Sequence, residues 1–249
     1  TQVIQNLEGG ILAEILVHEG DIVENGDVLV RIENTVAEAS LEDARQQYLT
    51  LLATEARLIA QIEFKDEVTF PEAVMNEAPT LAADQKRLFG ARKRQLEAQI
   101  SVLESQARQR KQETAEMDSR RRQLDESLRL ARDELAITAP LVKKGVMPRI
   151  DLIRIERQVA DLEGEIRTIR TAIPRLEAAQ QEANQRIEEM KLTAQTDASD
   201  ELNKTRGELK SISQSLFAGQ DRVTRTSVTS PVRGTVKDMK VTPVGGVIQ

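Results

Sequence analysis

The chain has no cysteine and no tryptophan, and its 249 residues include one tyrosine, four phenylalanines and one histidine. Without cysteine there is no disulfide framework, no thiol nucleophile and no thiolate metal site. So few aromatic rings leave little with which to fill a compact core or to stack on bases. A lone histidine, His18, stands beside Glu19 and Asp21. One imidazole and two carboxylates are thin material for a metal site, so His18 reads as a surface-turn residue. No nucleophile, base and orienting acid assemble anywhere, which points away from catalysis. No apolar run approaches the ~18–20 residues that cross a bilayer, and no signal peptide is visible. What is abundant is charge: Asp, Glu, Lys and Arg make up 31% of the chain. Residues 36–223 are rich in Ala, Glu, Leu, Arg and Gln, the mixture of long helices and coiled coils. The net charge of −6 favours solubility and gives no general reason to bind nucleic acid.

Glycine is scarce, and its placement shows a small motif broken into two halves. Gly10 to Val17, followed by the turns around Gly20 and Gly26, occupies the start of the chain. A similar stretch from Pro231 to Val241, followed by Gly245-Gly246-Val247-Ile248, occupies the end. Gly10 matches Gly234, Leu12 matches Val236, Glu14 matches Asp238, Ile15 matches Met239, Val17 matches Val241, and Gly20 falls on Gly245 after one extra residue. Two strand–turn–strand units that cannot each bury a face alone are expected to pack together. Everything between them then becomes an insertion with its ends held close. The chain begins at Thr1 and stops at Gln249 midway through the second copy, so it reads as an excised piece of a longer protein.

Between the halves the period changes to 3.6. Thr35, with Glu38 three positions on, suits a capping box that opens a first helix over residues 35–66. Residues 67–79, with Pro71 and Pro79, read as an elbow. A second helix is expected over 80–139, its seam running Leu96, Ile100, Leu103, Ala107, Arg110, Thr114, Met117, Arg121, Leu124, Leu128, Ala131, Leu135, with Pro140 stopping it. A third helix over 148–223 begins at Pro148. Its seam runs Leu152, Ile155, Val159, Leu162, Ile166, Ile169, Ile173, Leu176, Ala183, Ile187, Met190 and Ala194, slips near Ala198, and resumes at Leu202. Pro174 predicts a kink. Steps alternating between three and four predict an antiparallel coiled coil. The returning arm would be on the order of 110 Å long at 1.5 Å per residue. The expected fold is α+β: a three-helix coiled-coil hairpin (35–225) inserted between two halves of a split β-sandwich (1–34 and 226–249).

The two β halves resemble the lipoyl/biotinyl carrier domain, whose modified lysine sits in the hairpin between its halves. Here Glu33-Asn34-Thr35-Val36-Ala37 occupies that stretch, with Val36 in the lysine's place, so no lipoyl or biotinyl cofactor is expected. A lipoyl-like module opened at this hairpin and filled with long helices resembles periplasmic adaptors, the membrane fusion proteins of the haemolysin-secretion D type. Gln5 to Ile11, Val17 to Asp21, and Ser230 to Val241 with Gly245 to Ile248 look most like the type I secretion branch. The resemblance implies a periplasmic protein of a Gram-negative bacterium, its full-length form anchored in the inner membrane. It also implies an ABC transporter as one partner, a TolC-like outer-membrane channel as another, and self-association into a hexameric ring. The alternative within the same fold is an adaptor for small-molecule efflux. No enzymatic activity is implied.

The hairpin turn, 140–149, is the candidate docking tip: Leu141, Val142, Lys143, Lys144, Gly145, Val146, Met147, Pro148 and Arg149. Apolar side chains flanked by cations suit a small desolvated contact; the plainer reading is that they only close the coiled coil. Many adaptors carry an Arg-Leu-Ser set at the tip. The aligned positions here are Ile137, Leu141 and Pro148, of which only Leu141 agrees. The clusters Arg92-Lys93-Arg94, Arg108-Gln109-Arg110-Lys111 and Arg120-Arg121-Arg122 are interleaved with acids and read as solvated helix faces rather than a nucleic-acid patch.

Overall fold

The computed structural model describes residues 3–4, 9–239, 244 and 246–248. Expectations resting on Gln5 to Glu8, Val241 and Gly245 lie outside the described residues. The chain order is β1 (Gly10–Ile15), β2 (Ile22–Val23), β3 (Val28–Glu33), α1 (Thr35–Ile62), α2 (Glu72–Glu77), α3 (Pro79–Lys143), α4 (Arg149–Arg225), β4 (Ser227–Thr229), β5 (Gly234–Thr235) and β6 (Val247–Ile248). The molecule is mostly helical, a long hairpin with two small antiparallel sheets. It divides into two compact units: Thr1–Gly90 with Asp197–Gln249, and Ala91–Thr196.

In the first unit, strands from both ends of the chain interleave. One sheet has the order β4-β3-β1-β6 and the other pairs β2 with β5. Pairings in the larger sheet include Leu12 with Ile32 and Gly10 with Ile248, and Val23 lies opposite Gly234 in the smaller. Leu12, Val17, Val23, Leu29, Val30 and Ile32 form the core, with Val228, Val236 and Met239 from the other end packed on it. At Gly10 a side chain is excluded: a Cβ would stand 2.8 Å from the Glu33 carbonyl oxygen.

Two turns clasp the ends together by the same device. In His18-Glu19-Gly20-Asp21 the His18 N–H donates to the Asp21 carboxylate at 2.7 Å; in Glu24-Asn25-Gly26-Asp27 the Glu24 N–H donates to Asp27 at 2.8 Å. Both glycines take positive φ, 98° and 95°, the left-handed region that glycine enters without steric cost. Each then meets the C-terminal segment. Gly20 N–H donates to the Val236 carbonyl at 2.8 Å, and Val236 N–H returns to the Asp21 carbonyl at 3.0 Å. Gly26 N–H donates to Ser230 at 2.7 Å, and Ser230 N–H returns to Asp27 at 2.9 Å.

Helix α1 is capped one residue earlier than the sequence pattern suggests. The Asn34 side-chain oxygen accepts from Ala37 N–H at 3.0 Å, while its amide donates to the Gly9 carbonyl at 2.7 Å. Asn can cap and tie back to the strand at once, which a hydroxyl at Thr35 cannot do with that reach. From Leu51 to Ile62 no residue of α1 is exposed, as befits a helix apolar on more than one face. Leu49 and Ala53 pack with Val74 of α2 and Ala82 of α3, and Leu58 packs with Ala198 and Leu202 of α4. The expected elbow is therefore partly helical, since α2 lies within it. Arg57, only 2% exposed, donates to Gln85 of α3 (2.7 Å), Gln61 of α1 (3.0 Å) and Glu201 of α4 (2.7 Å).

In the second unit α3 and α4 face each other along the expected seams. Ala107, Leu128, Ala131, Ile155, Ile166, Ile169, Ala183 and Ile187 are buried. Arg110 departs from its seam place and stands exposed against Glu113. Arg121 is half-buried between Asp118 and Asp125. Cross-helix ion pairs join Arg132 to Glu163 (2.6 Å) and Arg120 to Glu165 (3.5 Å). Helix α4 runs on through Pro174.

Candidate docking site at the hairpin tip

Pro140 does not end α3 as expected; the helix continues to Lys143. Proline costs its helix the bond to the fourth preceding carbonyl, but the turn that follows supplies compensation. Lys144 N–H donates to the Pro140 carbonyl at 3.1 Å, Gly145 N–H to Val142 at 3.0 Å, and Val146 N–H to Leu141 at 3.0 Å. With Gly145 at φ 73°, these bonds make a Schellman cap, which occupies the last free carbonyls of the helix. The extra turn of helix is what presents Leu141 and Val142 to that closure. Helix α4 then starts at Arg149, with Pro148 just outside it accepting from Asp151 N–H at 3.2 Å.

This compact turn leaves apolar side chains in solvent. Val146 is 69% exposed, Ile150 68% and Ile137 67%. Leu141, Val142 and Met147 are half-buried, while Lys143, Lys144, Gly145, Pro148 and Arg149 are exposed. The structure thus brings the candidate residues together at one turn and adds Ile150 and Ile153 to them. A sequence signal for both was present: they fall off the Leu152–Ile155–Val159 seam, so their side chains had no place in the coiled-coil interface. Ile137 is off its seam in the same way.

The tip is also a concentration of positive charge. Lys143, Lys144 and Arg149 have no carboxylate partner among the described residues, and the nearby Asp151 is engaged by Arg154 at 3.4 Å. The basic clusters along α3 are different. Arg108 pairs with Glu104, Arg110 with Glu113, and Arg121 and Arg122 with Asp118. The Arg121 hydrogen bond holds the Asp118 carboxyl below the ordinary carboxylate range, and Arg110 does the same for Glu113. Those charges are already satisfied within the hairpin.

Other candidates have a different setting. His18 is an exposed turn residue 3.7 Å from Asp21. Val36 is exposed in the first turn of α1. Among the described residues no three His, Asp or Glu side chains gather as a metal site, and no helix is long and apolar enough to cross a membrane. A groove beside α1, lined by Leu52, Ala56, Ile59, Phe70 and Pro71, has Glu55 and Lys65 at its edge. Both are held in ion pairs, with Arg206 and Glu63 respectively.

The family described as "AprE, long alpha-helical hairpin" matches residues 37–222. The chain belongs to this family. The match covers the helical insert of the AprE hairpin fold, and relatives extend the likeness to the β ends. The type I secretion system membrane fusion protein PrsE of Rhizobium meliloti (strain 1021) is 28% identical over 250 residues, covering 98% of this chain and 57% of that protein. The chain thus spans little more than half the length of the curated relatives it matches. The crystal structure of the soluble domain of LipC, a membrane fusion protein of a type I secretion system, superimposes with a TM-score of 0.92 at 27% identity. It covers 99% of this chain and 95% of that one. The periplasmic adaptor protein EmrA shares the fold at a TM-score of 0.64, with 16% identity over 100% of this chain and 68% of its own.

Proposed function

We propose that this chain is the hairpin and β-module segment of a membrane fusion protein in type I protein secretion. In this reading it sits in the periplasm of a Gram-negative bacterium, and the parent protein is anchored in the inner membrane. It joins an inner-membrane ABC transporter to a TolC-like outer-membrane channel, with several copies arranged as a ring. It acts as a structural conduit and catalyses no reaction. The likeness to the LipC soluble domain carries this reading, because it embraces both β ends and the hairpin at once. The likeness to EmrA, at 16% identity, speaks to fold alone, so no observation favours the efflux alternative.

The hairpin tip is the proposed contact with the channel. Exposed Val146 and Ile150 offer apolar area that is removed from water only when a partner covers it. Val146→Asp in the secreting host is expected to abolish export of the transported protein while the variant accumulates with undiminished helical circular dichroism. Normal export by that variant would remove the docking role from the tip.

A further inference from the structure

We infer that the surface received at the tip is an acidic protein surface, carboxylates ringed around an apolar centre. The inference rests on the tip being the docking site. Residues 135–150 contain Lys143, Lys144 and Arg149 and no acid, while the rest of the chain carries −9, the −6 total less these three positive charges. A cationic end on an otherwise anionic molecule is a separation of charge, and separated charge orients a diffusing partner. Long-range attraction then acts at the tip and repulsion elsewhere.

The plainer explanation is that these cations serve the helix ends. It accounts for Lys143 and Lys144, which complement the negative C-terminal end of α3. It fails for Arg149. That residue opens α4, where the helix dipole is positive and a cation is disfavoured. Elsewhere on the hairpin, arginines such as Arg121 and Arg129 are neutralised by carboxylates three and four residues away. Other cations along the hairpin, Arg157 and Arg167 among them, are also without a carboxylate partner among the described residues, but at the tip three such cations, Lys143, Lys144 and Arg149, fall within seven residues that contain no acid. Three unpaired cations beside Val146 and Ile150 divide the work in a familiar way. The charges raise the encounter rate and select the partner, and the apolar centre slows dissociation.

The test measures association and dissociation rates of the whole chain with a purified TolC-type channel in detergent, across a range of ionic strength. Neutralising the three cations together (K143Q, K144Q, R149Q) is expected to lower the association rate about ten-fold or more at low salt and to flatten its salt dependence. Val146→Ser should chiefly raise the dissociation rate. If the neutralised variant keeps its association rate and salt dependence while Val146→Ser weakens binding, the acidic-partner inference is overturned and tip docking stands. If neither variant changes binding, tip docking itself fails. A parallel arm uses vesicles of anionic phosphatidylglycerol. Capture of the parent chain by these vesicles, lost in the neutralised variant, together with an unchanged rate towards the channel, assigns the charge to a lipid surface and overturns the inference.

Discussion

Arg57 puts a buried, charged side chain at the meeting of three helices. A buried guanidinium is costly to desolvate and persists only where its donors are met. Here Gln85, Gln61 and Glu201 meet them from three directions. Such a group specifies one arrangement of α1 against α3 and α4, because a shift of any helix strands the charge. Arg57→Ala is expected to cost about 2–4 kcal/mol in urea unfolding, the figure held down because the Glu201 side chain keeps 39% exposure to water. Arg57→Met, which fills most of the volume without the charge, should cost distinctly less. An alanine variant as stable as the parent would show that the cluster adds nothing. Nothing in the sequence names its partners on the other helices, Gln85 and Glu201, which lie 28 and 144 residues away.

At the scale of elements, α3 is the least apolar of the long helices, with a mean hydropathy below that of α4. Its surface is laced with ion pairs within the helix, including Asp118–Arg121 and Glu126–Arg129. Hydrogen bonds from these arginines lower the carboxyl pKa values of Asp118 and Glu126. A carboxyl depressed in the folded state adds stability above its unfolded pKa, and that contribution disappears as pH falls through the folded value. The thermal midpoint at low salt should therefore drop between about pH 5 and about pH 2. In roughly 0.5 M salt the drop should be smaller, since these pairs are exposed to screening. A midpoint indifferent to acid at low salt would dismiss the pairs as contributors. The seams of α3 and α4 were legible because three- and four-residue steps map directly onto one helix face. The helix ends were less so: Asn34 displaced Thr35 as cap because its amide also ties to the distant Gly9 carbonyl, and α3 passed Pro140 because the local turn at Gly145 caps the helix after Lys143. The slip at Ala198 also has a location. Ala198 packs with Leu58 of α1, so α4 changes its step where it takes on a different neighbour.

For the whole molecule, the decisive event is the joining of the two chain ends in one β core. Leu12 is fully buried there and touches a cluster that includes Val228, Val236 and Met239. Leu12→Ala is expected to cost about 2–5 kcal/mol through lost burial and the cavity left behind. Hydrogen exchange should report it as lost protection in β1, β3 and the Gly20 and Gly26 clasps, with amides of the α3–α4 seam keeping theirs. Equal loss everywhere would mean that the β core and the hairpin unfold as one.

The sequence by itself determined the class of this protein: absent cysteines and scarce aromatics barred several chemistries, and helical periodicity between two like β halves required a long hairpin between joined ends. It also placed the turn of the hairpin, because residues 140–149, with Pro140, Gly145 and Pro148, had to reverse the chain. Only the tertiary structure decided which groups meet across large sequence distances. Arg57 with Glu201 and Gly20 with Val236 depend on packing. Periodicity states which face a residue occupies, while the neighbour on that face is chosen by the docking of separate segments.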